Sequence, residues 1–216
     1  MLYNDIIKSV EQNKIIAIVR GVKKEQLIPL ADALYKGGIR LIEVTFSADG
    51  RVSDSETAEC IGTLAKKFEG KMLVGAGTVL TKKQVALTKK AGGKFIISPD
   101  TKASIIKKTK KSGLVSIPGA LTPSEITAAA RAGADFVKLF PVTSLGPEYI
   151  KAVSAPLSHV KLLAVGGVDL DNIKTYLNAG VCGFGLGSNI VDKKLLEAND
   201  YEAITLLAEK YVSEVM

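Results

Sequence analysis

The chain has no tryptophan, one histidine and two cysteines in 216 residues, and each shortage removes a class of chemistry. A lone histidine, His159, cannot build a histidine-rich metal site, and its position between the repeating motifs argues against a histidine-based triad. Cys60 and Cys182 make no disulfide framework, and neither sits in a metal-type spacing. No apolar run approaches the ~18–20 residues needed to cross a bilayer. The opening Met1-Leu2-Tyr3-Asn4-Asp5 carries an early acid and no apolar stretch, so no secretory signal is read there. These absences point to a cytoplasmic chain that binds no membrane.

What is present is ordinary globular composition, 47% hydrophobic and 24% charged, enough for one domain with a substantial core. The formal charge is +7. Much of the excess lies in lysine pairs such as Lys23-Lys24, Lys66-Lys67, Lys82-Lys83, Lys107-Lys108 and Lys193-Lys194. They are scattered along the chain without interleaved aromatics. Nucleic-acid binding would concentrate them in one stripe; scattered pairs read as solvated helix faces. A positive field still favours capture of an anionic small-molecule substrate.

Short apolar runs alternate with longer amphipathic stretches throughout. Strands are expected at Ile15–Arg20, Leu41–Phe46, Met72–Gly77, Phe95–Pro99, Leu114–Gly119, Phe136–Pro141, Lys161–Gly167 and Val181–Gly187. Helices are expected between them at Lys24–Lys36, Glu56–Phe68, Lys82–Ala91, Lys102–Lys110, Ser124–Ala132, Glu148–Val153 and Leu170–Ala179. Thr81, Thr101, Thr122-Pro123 and Asp169 supply helix-start signals. Gly37, Gly92, Gly133 and Gly180 supply stops. An extra helix, Tyr3–Gln12, precedes the first strand, and Tyr201–Val215 closes the chain. Eight strands alternating with helices imply a parallel sheet, and eight is the number that closes a barrel. The fold expected is therefore α/β: one single-domain (β/α)8 TIM barrel over residues 1–216, with an added N-terminal helix. A doubly wound open sheet is the rival, but no dinucleotide fingerprint follows the first strand (Ile18-Val19-Arg20-Gly21-Val22).

Barrel enzymes do their chemistry at the C-terminal ends of the strands, so polar residues there are the candidates. Arg20 ends the first strand, Glu43 and Thr45 lie in the second, and Thr78 follows the third. Alternation puts Phe136, Lys138 and Phe140 on one face of the sixth strand. If that face points inward, burial disfavours the charged ammonium, and a neutral amine can attack a ketone to form a carbinolamine and then an imine. A snorkelling lysine is the plainer alternative. Glu43 interrupts the apolar run Leu41-Ile42-Glu43-Val44-Thr45, and a buried carboxylate is costly unless paired or used. It suits the proton transfers of imine chemistry; a structural ion pair with Lys138 or Arg20 is the alternative. Gly166-Gly167 and Gly185-Leu186-Gly187-Ser188 lie in adjacent loops, where backbone N–H groups commonly cradle a phosphate. His159 is expected at the surface and Cys182 in the core.

These motifs carry a resemblance that runs over nearly the whole chain. Ile18-Val19-Arg20, Ile42-Glu43-Val44-Thr45, Val74-Gly75-Ala76-Gly77-Thr78-Val79-Leu80, Ile97-Ser98-Pro99 and Ile117-Pro118-Gly119 come first. Thr122-Pro123-Ser124-Glu125, Phe136-Val137-Lys138-Leu139-Phe140-Pro141 and Gly166-Gly167-Val168 follow in order. In this order they resemble the 2-keto-3-deoxy-6-phosphogluconate aldolase family, whose members often also cleave 4-hydroxy-2-oxoglutarate. The resemblance implies a class I aldolase without metal or cofactor, a homotrimer that releases pyruvate and an aldehyde such as glyceraldehyde 3-phosphate. By motif, Lys138 looks like the Schiff-base lysine and Glu43 like the acid and base. Arg20, Thr78, Pro99 and Phe140 look like pocket residues, with Thr78 near the pyruvate carboxylate; Gly166, Gly167 and Ser188 look like the phosphate end.

Two departures stand out. The family often carries an arginine two residues after the threonine of the Glu-Val-Thr motif, as a carboxylate ligand; here that position is Ser47. Arg51, in a loop that looks longer than usual, is expected either to reach back and replace it or to remain a solvent-exposed loop arginine. The usual Pro-Thr-Gly-Gly reads Ala164-Val165-Gly166-Gly167, and the threonine resembles a determinant of stereochemistry at C4. Val165 keeps the shape without the hydrogen bond, so cleavage of the galactonate epimer is a second expectation. Two further readings remain: a phosphate-binding isomerase or synthase with Lys138 and Glu43 as an ion pair, and a non-catalytic metabolite-binding barrel.

Overall fold

Period-two alternation in each strand sends one set of side chains into the barrel and the other toward a surrounding ring of helices. In the computed structural model, which describes residues 2–216, this sorting makes two separate cores. The outer one packs Ala17, Val19, Ile42, Val44, Val137 and Leu139 against the helices. The inner one gathers Ile16, Leu41, Leu73, Phe95, Val115, Phe136 and Leu163 along the barrel axis. Phe95 and Phe136 are fully buried there, each removing a large apolar side chain from water for about 2–3 kcal/mol.

The strands are β1 (Ile15–Val19), β2 (Leu41–Thr45), β3 (Leu73–Gly77), β4 (Phe95–Ile97), β5 (Val115–Ile117), β6 (Gly119–Ala120), β7 (Val137–Leu139), β8 (Leu162–Val165) and β9 (Gly183–Leu186). All pair in parallel, in the order β5-β4-β3-β2-β1-β9-β8-β7-β6. Nine strands make an eight-fold barrel because β5 and β6 are the two halves of the expected fifth strand, divided at Pro118. β5 pairs with β4 on one side and β6 with β7 on the other. Pro118 has no N–H to give a ladder, yet its carbonyl accepts from Lys138 N at 2.9 Å, so the ring closes through the break.

The helices are α1 (Tyr3–Asn13), α2 (Lys24–Lys36), α3 (Asp54–Lys67), α4 (Lys82–Lys90), α5 (Ala103–Lys111), α6 (Pro123–Arg131), α7 (Gly146–Ser154), α8 (Ile173–Asn178), α9 (Lys193–Glu197) and α10 (Tyr201–Val215). Thr81 and Thr122 cap α4 and α6 through reciprocal bonds with Gln84 and Glu125, which satisfies first-turn N–H groups. Thr101 does not cap α5; its hydroxyl instead donates to the Gly119 carbonyl at 2.7 Å, and so braces the broken strand. Asp169 does not start α8 either. It accepts from the N–H groups of Asp171 and Asn172 at 3.1 Å each, a turn that delays the helix beyond the expected Leu170. The short α9 was not anticipated.

Helix α1 plugs the N-terminal end of the barrel, with Ile6 and Val10 in the inner core. It is fastened by Asp135, just ahead of β7, whose carboxylate accepts from the Tyr3 hydroxyl, from Lys110 Nζ at 2.6 Å and from Ser116 N at 2.9 Å. With the bottom sealed, the open end lies where the strands finish.

Candidate active site

At that open end the inward face changes character. Going up β2, Leu41 belongs to the inner core and Glu43 follows it; going up β7, Phe136 is followed by Lys138. Both polar residues border a cavity of about 460 Å³ that Arg20, Thr78, Pro99 and Phe140 also line. Val165, Gly166, Gly167 and Ser188 belong to the same lining. Ten of the eleven expected site residues therefore meet in one cavity.

Lys138 is 9% exposed, and its Nζ stands 4.5 Å over the Phe140 ring. Burial is the main cause that lowers its pKa; the Glu43 charge opposes this, and the Arg20 charge reinforces it. Phe140 itself is 40% exposed, so its ring touches both the amine and solvent. Glu43 is 2% exposed, and its Oε2 has no hydrogen-bond partner. Burial pushes its carboxyl up from the ordinary 4.5 to about 7, against the pull of Lys138 and Arg20. A carboxyl near neutrality gives and takes protons with equal ease. Burial therefore draws the two pKa values toward each other and favours the uncharged form of both groups.

Arg20 donates from Nη2 to the Thr78 hydroxyl at 3.1 Å, which couples the ends of β1 and β3. Thr78 has φ of +55°, a left-handed backbone that a β-branched residue takes at a cost of about 1–3 kcal/mol. In this conformation its hydroxyl accepts from Arg20. Gly166 and Gly167 have φ of +86° and +81°, conformations glycine takes freely, and both border the cavity.

Arg51 is the exception. It lines a neighbouring cavity rather than this one, with its side chain 86% exposed and its Nε bound to Asp49 at 2.6 Å. The expectation that it reaches back to the site is not met: Asp49, two residues away, takes the guanidinium, and Ser47 also donates to Asp49. Sequence reasoning overlooked Asn189, which borders the cavity while its amide donates to the Val168 carbonyl at 2.6 Å. Its place one residue after Ser188 was the available signal. His159 is exposed, as expected. Cys182 is half-buried beside the inner core, and burial pushes its thiol up to about 12.

An amine and a carboxyl, both buried and both bordering a cavity at the C-terminal mouth of a (β/α)8 barrel, are the two groups that carbon–carbon cleavage through a Schiff base requires. The comparisons with known proteins agree. The family model for KDPG and KHG aldolase matches residues 6–207. "Probable 2-dehydro-3-deoxy-6-phosphogalactonate aldolase" of Rhizobium meliloti is 37% identical over 180 residues, covering 83% of this chain and 82% of its own. "2-dehydro-3-deoxy-phosphogluconate aldolase" of Haemophilus influenzae is 33% identical over 211 residues, covering 96% and 95%. The solved KDPG aldolase of Legionella pneumophila, with pyruvate captured as a covalent carbinolamine intermediate, matches with TM-score 0.83. It is 30% identical and covers 94% of this chain and 96% of that one. The chain belongs to the KDPG and KHG aldolase family.

Proposed function

We propose that the protein cleaves 2-keto-3-deoxy-6-phosphogluconate reversibly to pyruvate and glyceraldehyde 3-phosphate, and 4-hydroxy-2-oxoglutarate by the same route, with Lys138 as the nucleophile. The observation that carries this is the pair of buried groups: an amine whose pKa burial lowers, and a carboxyl brought to about 7, bordering one cavity. The neutral Lys138 amine attacks C2 of the keto acid, and Glu43 passes protons as the carbinolamine loses water to the iminium. The C4 hydroxyl gives its proton to Glu43, the C3–C4 bond breaks, and its electron pair moves into the enamine while C4 leaves as the aldehyde. Glu43 returns the proton to C3, and water addition to the iminium releases pyruvate and the amine. Electrons and protons balance with no oxidant or cofactor.

Arg20 and Thr78, held together by their hydrogen bond, receive the keto-acid carboxylate. Pro99 and Phe140 wall the reacting carbons. Gly166, Gly167 and Ser188 receive the phosphate. The family resemblance also supports a homotrimer in the cytoplasm; sedimentation equilibrium at three chain masses checks the assembly.

Val165 borders the cavity and offers no hydrogen bond, which favours a second activity on the galactonate epimer at C4. Pyruvate release from both epimers tests the two together. Wild type is expected to cleave both, and Lys138→Met neither. A Lys138→Met variant that still cleaves either epimer would remove the amine from the mechanism, while a strong preference of wild type for one epimer would show that Val165 does not relax stereoselectivity.

A further inference from the structure

The upper inward positions of β3 carry no side chains, and one of these gaps lies against the carboxyl on which the mechanism depends. Along Leu73-Val74-Gly75-Ala76-Gly77 the inward residues are Leu73, Gly75 and Gly77. A Cβ at Gly75 would run into the Phe95 ring, so Phe95 of β4 fills that space. A Cβ at Gly77 would stand 2.6 Å from the Glu43 carboxyl carbon and 2.9 Å from Oε2, and nearer still to Oε1. The Glu43 carboxyl therefore lies across the β3 backbone, in the volume that any other residue at 77 would claim. Gly77 has ordinary extended backbone, outside the positive-φ set, so its torsions give no reason for glycine; a close approach of a neighbouring group does.

We infer that Gly77 is a positioning residue for the acid–base step: its missing side chain is the slot that holds the Glu43 carboxyl facing Lys138. This rests on the reading of Glu43 as the proton carrier. The same geometry separates the role from a structural one. The atoms a Cβ would strike are the far end of a flexible side chain, not backbone, so the barrel accommodates alanine by turning Glu43 aside. Below lies the packed inner core, Leu41 and Leu73 among it; the open direction is the cavity that Glu43 already borders. A displaced carboxyl enters that cavity, where more water reaches it and burial no longer holds its pKa up. The charged groups that face it there are Lys138 from β7 and Arg20 from the end of β1, both of which favour the ionised form.

The experiment is a double-mutant cycle of Gly77→Ala and Glu43→Ala, read by pyruvate release across pH and by thermal melting. Gly77→Ala is expected to melt cooperatively and no lower than wild type, since a carboxyl released from burial no longer costs stability above neutrality. It should keep a KM within about threefold, while kcat falls at least tenfold and its acidic limb moves to lower pH. In the Glu43→Ala background, where no carboxyl remains to displace, adding Gly77→Ala should change kcat by less than about twofold. Wild-type kcat and pH profile in Gly77→Ala would overturn the inference, as would a full-sized loss in the Glu43→Ala background. If Gly77→Ala does not fold, the double variant decides: recovery of folding on removing Glu43 supports the slot, and continued failure refutes it. Full activity of Glu43→Ala alone would instead overturn the role of Glu43, which keeps the two failures distinct.

Discussion

Replacing Glu43 with glutamine should lower activity, and the variant's stability relative to wild type should rise with pH. A carboxyl whose pKa rises from 4.5 to about 7 on folding is easier to keep protonated in the native barrel than in the open chain. Native stability is therefore highest below the unfolded value of 4.5, and it is lost as pH climbs through the interval up to 7. The loss levels off once the native carboxyl is fully ionised, about one pH unit above 7. Linkage at 1.36 kcal/mol per pKa unit gives a cost of roughly 3 kcal/mol at pH 8.5 and under roughly 1 kcal/mol at pH 5. That cost already includes the attraction of Lys138 and Arg20, which act against the burial that dominates it. Glutamine cannot ionise, so it escapes the whole of it. The buried amide brings its own penalty, because Oε2 has no partner in the structure, but that penalty is the same at both pH values and cancels in the difference. The variant's stability advantage over wild type should grow by about 2–3 kcal/mol between pH 5 and pH 8.5. For a chain of this length this is about 4–12 °C in the difference of melting temperatures. Paired thermal melts at the two pH values give it directly. An advantage that stays flat with pH, or shrinks toward pH 8.5, would refute the claim that Glu43 sits buried with a raised pKa.

Asp135→Ala removes the acceptor for Tyr3, Lys110 and Ser116 at the sealed end of the barrel. With the Asp135 side chain 9% exposed, the loss should be about 3 kcal/mol, lowering the melting temperature by about 6–12 °C while kcat at 25 °C stays unchanged; a large fall in kcat without a change in melting would contradict the separation of the two ends. Thr78→Gly relieves the positive-φ backbone but deprives Arg20 of its hydroxyl partner. The melting temperature should hold or rise while KM for the keto acid increases about threefold to tenfold, and an unchanged KM would show that the Arg20–Thr78 pair does not hold the carboxylate.

The sequence disclosed what repeats and what interrupts. Eight apolar runs alternating with helices specify the barrel, and Glu43 and Lys138 stand out because each breaks an apolar strand at a position that alternation assigns to the interior. Pairing was harder to read. Pro118 within Leu114–Gly119 signals a break in the ladder, but not that its carbonyl bridges the break, since that depends on the N–H of Lys138 arriving opposite. Thr101 and Asp169 looked like helix starts because both residue types compete for nearby backbone groups; Thr101 instead finds Gly119, a tertiary neighbour, while Asp169 closes a local turn on Asp171 and Asn172 ahead of α8. Arg51 stands away from the site with its guanidinium on Asp49, a carboxylate two residues off that its spacing in the sequence already placed within reach. The empty positions at Gly75 and Gly77 were visible as glycines, but what occupies their space comes from β4 and β2.

The claim on which the rest depends is that the Lys138 amine is uncharged and reactive inside the barrel mouth. Borohydride reduction in the presence of pyruvate, followed by peptide mass mapping, reads it directly, because only an imine is fixed as a stable secondary amine. The adduct should appear on the peptide that contains Lys138 and vanish in Lys138→Met. An adduct confined to any other lysine would contradict the claim. Turnover with no adduct would point to an isomerase or synthase, and binding with neither to a barrel without catalysis.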